Sequence, residues 1–185
     1  MDINKKISIY FLEDSRDYLI RYQVLKERAA HLGLRSKLLL ELLFALECSL
    51  KSIIFFESSE DEKATYNKVR THKLDKLSMF LSENSKQKFD NLLKKYLTDF
   101  SVDIRYKLES EIDFRTKEGV LAEKYYNTIA NVIWLDELYL QISNFIEYIS
   151  GLNPFEIITI NFNDINISDK IKEYQQLSEI RTKTR

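Results

Sequence analysis

The sequence predicts an all-α protein, an up-down bundle of about five to seven helices around one central helix. Turns and strand connections depend on glycine and proline, yet the 185 residues include only 3 Gly and 1 Pro. Apolar residues recur at intervals of three and four over most of the chain, which is the spacing of one helix face. One stretch, Arg35–Glu57, is apolar on nearly every side. Together these observations favour long helices packed around that stretch.

The central stretch reads RSKLLLELLFALECSLKSIIFFE. A helix that is apolar all round belongs in the middle of a bundle, because any outward face would meet water. Its length would also suit a membrane span, but Glu41, Glu47 and Lys51 interrupt it. Each charge at bilayer depth costs about 2.5–3.5 kcal/mol. We therefore expect the central helix of a soluble bundle, with no membrane as a partner.

Four polar residues of this stretch recur at helical spacing and predict one narrow polar stripe along the helix: Lys37, Glu41, Cys48 and Ser52. Cys48 is the single cysteine, so the sequence has no disulfide framework and no multi-cysteine metal site. We expect Cys48 to behave as a small hydrophobic side chain inside the bundle.

Caps and breaks predict the helices next to the central one. A first helix is expected from about Leu12 to His31, where His31-Leu32-Gly33 ends it because glycine readily takes the left-handed conformation after a helix. With so short a connection, this helix should pack antiparallel to the central one. Capping residues predict three shorter helices afterwards, at Ser59 with Glu62, at Thr71, and at Asn84 with Gln87.

The remaining elements follow from periodicity. A helical piece is predicted over 102–110 and a loop over 111–119. A long helix is predicted over 121–150, with Gly151 and Pro154 to stop it.

The stretch EIITINFNDINI, at 156–167, alternates apolar and polar residues as a strand does. It is either an extended arm over the bundle or a strand that pairs with a second chain, since one strand cannot build a sheet alone. A short helix is predicted from Ser168, followed by a basic tail. The chain is thus divided into a helical bundle at 1–150 and an extended C-terminal arm with a short helix at 151–185.

Charge and composition exclude several function classes. The net charge is −1, so no global field attracts nucleic acid. Asp61 to Lys117 carries 13 basic and 10 acidic residues, whereas Glu118 to Ile167 carries 1 basic and 7 acidic. The sequence has no glycine-rich phosphate loop, no Gly-x-Ser-x-Gly elbow and no histidine pair at metal spacing. We expect no cofactor, no metal and, without a signal-peptide pattern, a cytoplasmic location.

Two segments carry a resemblance to a known family. THKLDKL, at 71–77, follows the long apolar helix, and a later predicted helix carries VDIRYKLE, at 102–109. In this order and spacing, residues 35–110 resemble the HEPN superfamily (higher eukaryotes and prokaryotes nucleotide-binding). The resemblance implies a small all-α bundle that forms a homodimer. Many members are ribonucleases that use an Arg followed four to six residues on by a His. Others are non-catalytic partners of nucleotidyltransferases or parts of stress, antiphage or toxin–antitoxin systems.

The sequence departs from the ribonuclease pattern. Arg105 stands where the family's arginine is expected, but no histidine occurs from Tyr106 to Ile112. Metal-free RNA cleavage needs an acid or base that titrates near neutrality, and histidine is the side chain suited to it. We therefore favour a non-catalytic or degenerate module that binds a partner protein from the same operon, RNA or a nucleotide.

Two alternatives stay open. One is a metal-independent ribonuclease with an irregular site built from Arg105, Tyr106, Glu109 and His72. The other is a purely structural dimerisation domain, in which Arg105 and Glu109 form a salt bridge one helical turn apart. The candidate ligand-binding residues are Arg70, His72, Arg105 and Tyr106. His72 is expected at a helix N-terminus with a half-exposed ring. An apolar arm at 157–167 and an acidic last third favour a homodimer, because one chain would leave apolar surface uncovered.

Overall fold

Eight helices form the described part of the protein, which comprises residues 3–28, 32–97, 120–152 and 167–183 of a computed structural model. They are α1 (Ile3–Lys26), α2 (Leu32–Glu57), α3 (Glu62–Lys68), α4 (Leu74–Ser78), α5 (Glu83–Leu97), α6 (Val120–Asn127), α7 (Val132–Leu152) and α8 (Ile167–Lys183). These ranges contain no strand. The all-α prediction is confirmed, with one helix more than the upper end of the predicted number.

The long helices run alternately up and down. The start of α1 meets the end of α2, where Ser52 Oγ donates to the Ser8 carbonyl at 2.8 Å, so these two helices are antiparallel. The start of α5 meets the end of α7, where Ser85 Oγ and Tyr148 Oη lie 3.2 Å apart. Arg35, at the start of α2, donates to the Ala130 carbonyl just before α7, so α2 and α7 are parallel. The result is the up-down bundle that the sequence predicts.

The centre of this bundle is α2. It packs against α1 along its length and against α7, α4 and α3 on its other sides. Nine of its apolar side chains are at most 1% exposed: Leu38, Leu39, Leu42, Leu43, Ala45, Leu46, Leu50, Ile53 and Phe55. Such burial contributes about 1.5–3 kcal/mol for each large side chain. The prediction of a central helix is confirmed, and the helix begins three residues earlier than predicted.

The predicted polar stripe on α2 is present only in part. Lys37, Glu41 and Cys48 are partly exposed, as expected. Ser52 is completely buried, because its hydroxyl bonds α1 at both the carbonyl and the hydroxyl of Ser8. The interface with α1 therefore supplies hydrogen-bond partners to the Ser52 hydroxyl, which the sequence alone places on a polar stripe.

The predicted limits of the first helix are wrong at both ends. The helix begins at Ile3 rather than near Leu12, and it ends at Lys26, well before His31. Leu32 and Gly33 open α2 instead of ending α1. The residues before Leu12 form helix because they pack against α2: Ser52 Oγ donates to the Ser8 carbonyl, and the Phe11 ring stacks on Phe55 with the ring centroids 5.8 Å apart.

The predicted capping residues of α3 and α4 are also wrong. Asp61 caps α3, since its carboxylate accepts the Ala64 amide at 2.7 Å, and Ser59 does not. Before α4, Thr71 Oγ1 accepts the Lys73 amide at 3.1 Å, but Lys73 occupies the cap position.

At α5 the cap is Ser82, whose hydroxyl accepts the Ser85 amide at 3.4 Å and is itself held by a carboxylate from another helix. The helix begins at Glu83, ahead of the predicted cap residue Asn84. Glu57, at the end of α2, accepts both the amide and the hydroxyl of Ser82 (3.0 and 2.7 Å) and the hydroxyl of Ser85. A carboxylate from another helix thus satisfies groups at the start of α5, which no local pattern can reveal.

The long helix predicted over 121–150 is two helices, α6 and α7. Between them, Asn131 Oδ1 accepts the Ile133 amide at 3.0 Å and so caps α7. Gly151 lies in the last turn of α7, and α8 has 17 residues rather than being short. The predicted helix at 102–110, the loop at 111–119 and nearly all of the strand-like stretch lie outside the described residues; its last residue, Ile167, begins α8.

Among the described helices, none combines the length and the hydropathy needed to cross a lipid bilayer. The charges within α2 lower its mean hydropathy, as the sequence indicates.

A charge in the centre of α2 should prevent folding. Leu43 is 1% exposed, so Leu43→Asp should cost several kcal/mol, a large share of the roughly 5–15 kcal/mol that holds a domain folded. The matched control is Leu34→Asp on the exposed side of the same helix. Circular dichroism melts should show a lost or strongly shifted transition only for Leu43→Asp. Equal melting of both variants would contradict the central place of α2.

Candidate functional site

The candidate site lies where the loop between α3 and α4 crosses α2. The loop is held at both ends by buried side chains, Val69 and Leu74, and α4 packs on α2. This anchoring brings His72 against Glu47, which also pairs with Lys51 one turn further along α2. Residues 25 positions apart in sequence therefore meet because two short hydrophobic anchors fix the loop.

The His72 ring is attached to α2 by one nitrogen. Its Nδ1 lies 2.9 Å from Oε1 and 3.1 Å from Oε2 of Glu47. An ionised carboxylate can only accept hydrogen bonds, so this geometry assigns the proton to Nδ1. The His72 side chain remains 63% exposed, whereas that of Glu47 is only 6% exposed. The ring is thus oriented from below by a buried carboxylate and presents its other edge to solvent.

Lys51 completes the charge arrangement. Its Nζ lies 2.7 Å from Glu47 Oε1 and 5.8 Å from the centre of the Phe11 ring on α1. A buried carboxylate without a partner would be costly, so Lys51 stabilises Glu47 in its apolar surroundings. Because this ion pair is satisfied within the bundle, His72 is the member of the group that can engage a ligand.

The sequence candidates divide into two groups. His72 has an exposed ring, as expected, but lies two residues before α4 rather than inside it. Arg70 is exposed in the same loop. Arg105, Tyr106 and Glu109 lie outside the described residues, so their relation to His72 stays a prediction.

Sequence reasoning missed Glu47 and Lys51 as site residues. Both were noticed only as charges that argue against a membrane span. The signal available was their spacing of four, which makes an ion pair on one helix face. Their link to His72 has no sequence signal, because it depends on the path of the α3–α4 loop.

The surface around the site is basic. The stretch from Glu62 to Leu97, which we call the basic segment, contains nine Lys and Arg residues but only four Asp and Glu residues. Arg70, Lys73 and Lys76 are exposed close to His72 in sequence. The segment also exposes Met79 and Phe80, with Lys68 Nζ 5.8 Å from the Phe80 ring centre. Positive charge and an exposed aromatic ring therefore occur together on this part of the molecule.

Cys48, beside Glu47 in sequence, does not serve as a nucleophile here. Burial raises the pKa of its thiol to about 12, and the nearby Asp14 and Glu47 carboxylates act in the same direction. Almost no thiolate exists at neutral pH, and the thiolate is the reactive form. This agrees with the expectation of a small hydrophobic side chain. In the described ranges, no group of three or more His, Cys, Asp or Glu residues is arranged to hold a metal ion.

A second, half-buried carboxyl lies on the partly exposed stripe of α2. Burial raises the pKa of Glu41 above its usual range, and the nearby Arg21 guanidinium only partly offsets this effect. Glu41 Oε2 is buried without a hydrogen-bond partner among the described residues. Such a group is held by the fold in an unfavourable environment rather than stabilised by it.

No family model, curated protein or solved structure matches the chain. The likeness to the HEPN superfamily therefore rests on the sequence segments at 71–77 and 102–109.

Glu41→Gln should stabilise the protein at neutral pH. The folded carboxyl binds its proton more tightly than the unfolded one, whose pKa is near 4.5. The free energy of unfolding therefore falls as pH rises from about 4.5 through the folded pKa, and the penalty is complete above it. Thermal melts should give a higher Tm for Glu41→Gln at pH 7 and little difference at pH 4. The exposed Glu123 serves as the control for a Glu→Gln change. A lower Tm for Glu41→Gln at pH 7 would contradict this account.

Proposed function

We propose that this protein is a non-catalytic HEPN-like helical module that binds RNA through its basic segment, with His72 at the centre of the contact. Its context would be a bacterial stress, antiphage or toxin–antitoxin system, as the resemblance implies. The observation that carries the proposal is the exposed His72 ring, held by the buried Glu47 inside a segment of net positive charge.

The charge of the basic segment supports an anionic ligand. Phosphates of RNA are contacted mainly by Lys and Arg side chains, and the resulting counterion release makes binding depend on salt. Arg70, Lys73 and Lys76 are exposed basic residues within four positions of His72 in the sequence and can supply such donors. The chain as a whole is nearly neutral, so attraction depends on this local surplus rather than on net charge.

Exposed aromatic and apolar side chains support RNA over a simple phosphate ion. Bases of single-stranded RNA stack on aromatic rings, with about 1–3 kcal/mol for each base. Phe80 is 43% exposed and carries Lys68 near its ring. Its neighbour Met79 adds exposed apolar surface on the same turn. A strand that crosses this surface would find charge for its backbone and a ring for a base.

The rival proposal is a ribonuclease in which His72 is the acid or base. One observation favours it: because the Glu47 carboxylate holds the proton on Nδ1 of His72, the Nε2 atom of the neutral ring is free of hydrogen and can accept a proton, as in many acid–base sites. Against it, no histidine follows Arg105 at the family's spacing, and Lys51 already occupies one oxygen of Glu47. We therefore favour binding without cleavage.

Binding should depend on charge near His72. Fluorescence anisotropy with a labelled unstructured RNA should show that Lys73→Glu weakens binding about tenfold and lowers the salt slope by about 0.7, the value for one phosphate contact on a single strand. The matched control is Lys172→Glu, which reverses an exposed lysine on α8 outside the basic segment. Equal affinity of wild type and Lys73→Glu, or equal loss in both variants, would contradict a site in the basic segment.

Purified protein should cleave RNA slowly or not at all. Arginine stabilises phosphate charge but cannot move protons at pH 7, and acid–base catalysis supplies roughly 10²–10⁴-fold in rate. Wild type, Arg105→Ala and His72→Ala should be incubated with the same RNA, with and without Mg²⁺, and the products resolved on a gel. We expect intact RNA in all samples. Cleavage by wild type that disappears in either variant would replace this proposal with the ribonuclease.

A further inference from the structure

The two nitrogens of the His72 ring have different surroundings. Nδ1 lies 2.9 Å from Oε1 and 3.1 Å from Oε2 of Glu47, so it carries the hydrogen of the neutral ring. Nε2 is the other polar atom of the ring, and among the described residues it has no hydrogen-bond partner. Because the side chain is exposed, Nε2 is the ring atom that a ligand can reach.

Glu47 keeps this hydrogen on the inner side of the ring. A neutral imidazole in water can carry its hydrogen on either nitrogen, and the hydrogen bond at one nitrogen decides which. The buried Glu47 carboxylate requires donors, and Lys51 Nζ supplies one at 2.7 Å from Oε1. Moving the hydrogen of His72 from Nδ1 to Nε2 would set a lone pair of Nδ1 against the same carboxylate. The neutral ring therefore has an acceptor, not a donor, at its outer edge.

A phosphate cannot bind the outer edge of this neutral ring. The phosphate oxygens of an RNA chain accept hydrogen bonds and donate none, so they would meet Nε2 acceptor to acceptor. Uptake of a proton converts Nε2 into an N–H donor and gives the ring a positive charge. A charge-assisted bond between imidazolium and phosphate then becomes possible. One proton thus decides whether His72 can contact a phosphate at all.

The charged groups near His72 come from each element around it: Glu47 and Lys51 on α2, Arg70 and Lys73 in the loop, Asp75 and Lys76 on α4, and Asp14 on α1, which acts on the Cys48 thiol beside Glu47. Histidine is the side chain whose charge ordinarily changes between about pH 5 and 8. Partial desolvation, together with Asp17, raises the pKa of Asp14. Protonation of Asp14 is therefore the competing source of pH dependence, and it requires a control.

We infer that RNA binding at the His72 site is regulated by pH through uptake of one proton at Nε2, so that affinity rises as pH falls through neutrality. This inference rests on the proposed function. A ligand that bonds the protonated ring makes the proton bind more tightly, and by reciprocity the proton makes the ligand bind more tightly. A neutral Nε2 could instead accept a bond from a ribose 2′-hydroxyl. The positive surplus of the basic segment favours a phosphate as the partner.

The test is fluorescence anisotropy with a labelled oligouridine, whose bases remain neutral over the pH range used. Affinity is measured at several salt concentrations at about pH 5.5 and about pH 8, on either side of the range in which histidine titrates. Wild type should bind about tenfold more tightly at the lower pH, with a salt slope larger by about 0.7, the value for one more phosphate contact on a single strand.

Two substitutions of His72 should fix the site in one state each. His72→Lys keeps a positive charge throughout and should bind tightly, with the larger salt slope, at both pH values. His72→Gln stays neutral and should bind weakly, with the smaller slope, at both. The side chain is exposed, so the Tm of both variants should match that of wild type. His31→Gln, which changes the other histidine of the sequence, and Asp14→Asn are the matched controls, and both should keep the pH dependence of wild type.

The possible failures of this inference and of the proposed function differ. A wild type that binds RNA with the same affinity and salt slope at both pH values would overturn the inference and leave RNA binding intact. A pH dependence that persists in His72→Gln, or that disappears in Asp14→Asn, would also overturn it, because another group would then carry the proton. Absence of RNA binding at both pH values would refute the proposed function, and the inference with it.

Discussion

Burial of α2 on all sides is the constraint on which the rest of this structure depends. A helix with apolar side chains around its whole circumference must be surrounded, and no single neighbour can cover more than part of it. The chain meets this demand with α1 along one side, α7 on another, and the short helices α3 and α4 over what remains. The order and direction of the other helices follow from this constraint, because the chain must pass the surface of α2 several times to cover it.

The few polar groups on α2 then determine details that apolar packing leaves open. Ser52 sets the register against α1 through Ser8, and Glu57 fixes the start of α5 through Ser82 and Ser85. Glu47 positions the loop that carries His72. In each case a buried polar group requires a partner, and the partner belongs to a different element. Unpaired, such groups would cost about 1–3 kcal/mol each, so they select one arrangement among several that bury similar area.

The same helix arrangement separates two surfaces with different chemistry. The basic segment packs over α2 through the short helices α3 and α4 and exposes positive charge together with the Phe80 ring. On α1 and α7, by contrast, large apolar side chains are exposed: Ile20, Val24, Ile133 and Leu140.

The sequence by itself determined the fold class, the central helix and the exclusion of a membrane span by its charges. These depend on composition and on helical periodicity, which act within a few turns of one helix. It also revealed the charge imbalance between the middle and the last third, because counting needs no geometry.

Only the tertiary structure decided the helix limits, the caps and the site. Ser59, Thr71 and Asn84 have the right residue types for caps, yet Asp61, Lys73 and Ser82 fill the roles, and the distant Glu57 holds Ser82 in place. A cap is a competition among neighbouring groups, and packing against α2 decides which one wins. Likewise His72 was a candidate from its residue type alone. His72 contacts Glu47, which pairs with Lys51, because the buried side chains of Val69 and Leu74 hold the loop across α2. This contact depends on long-range packing, which no local sequence pattern contains.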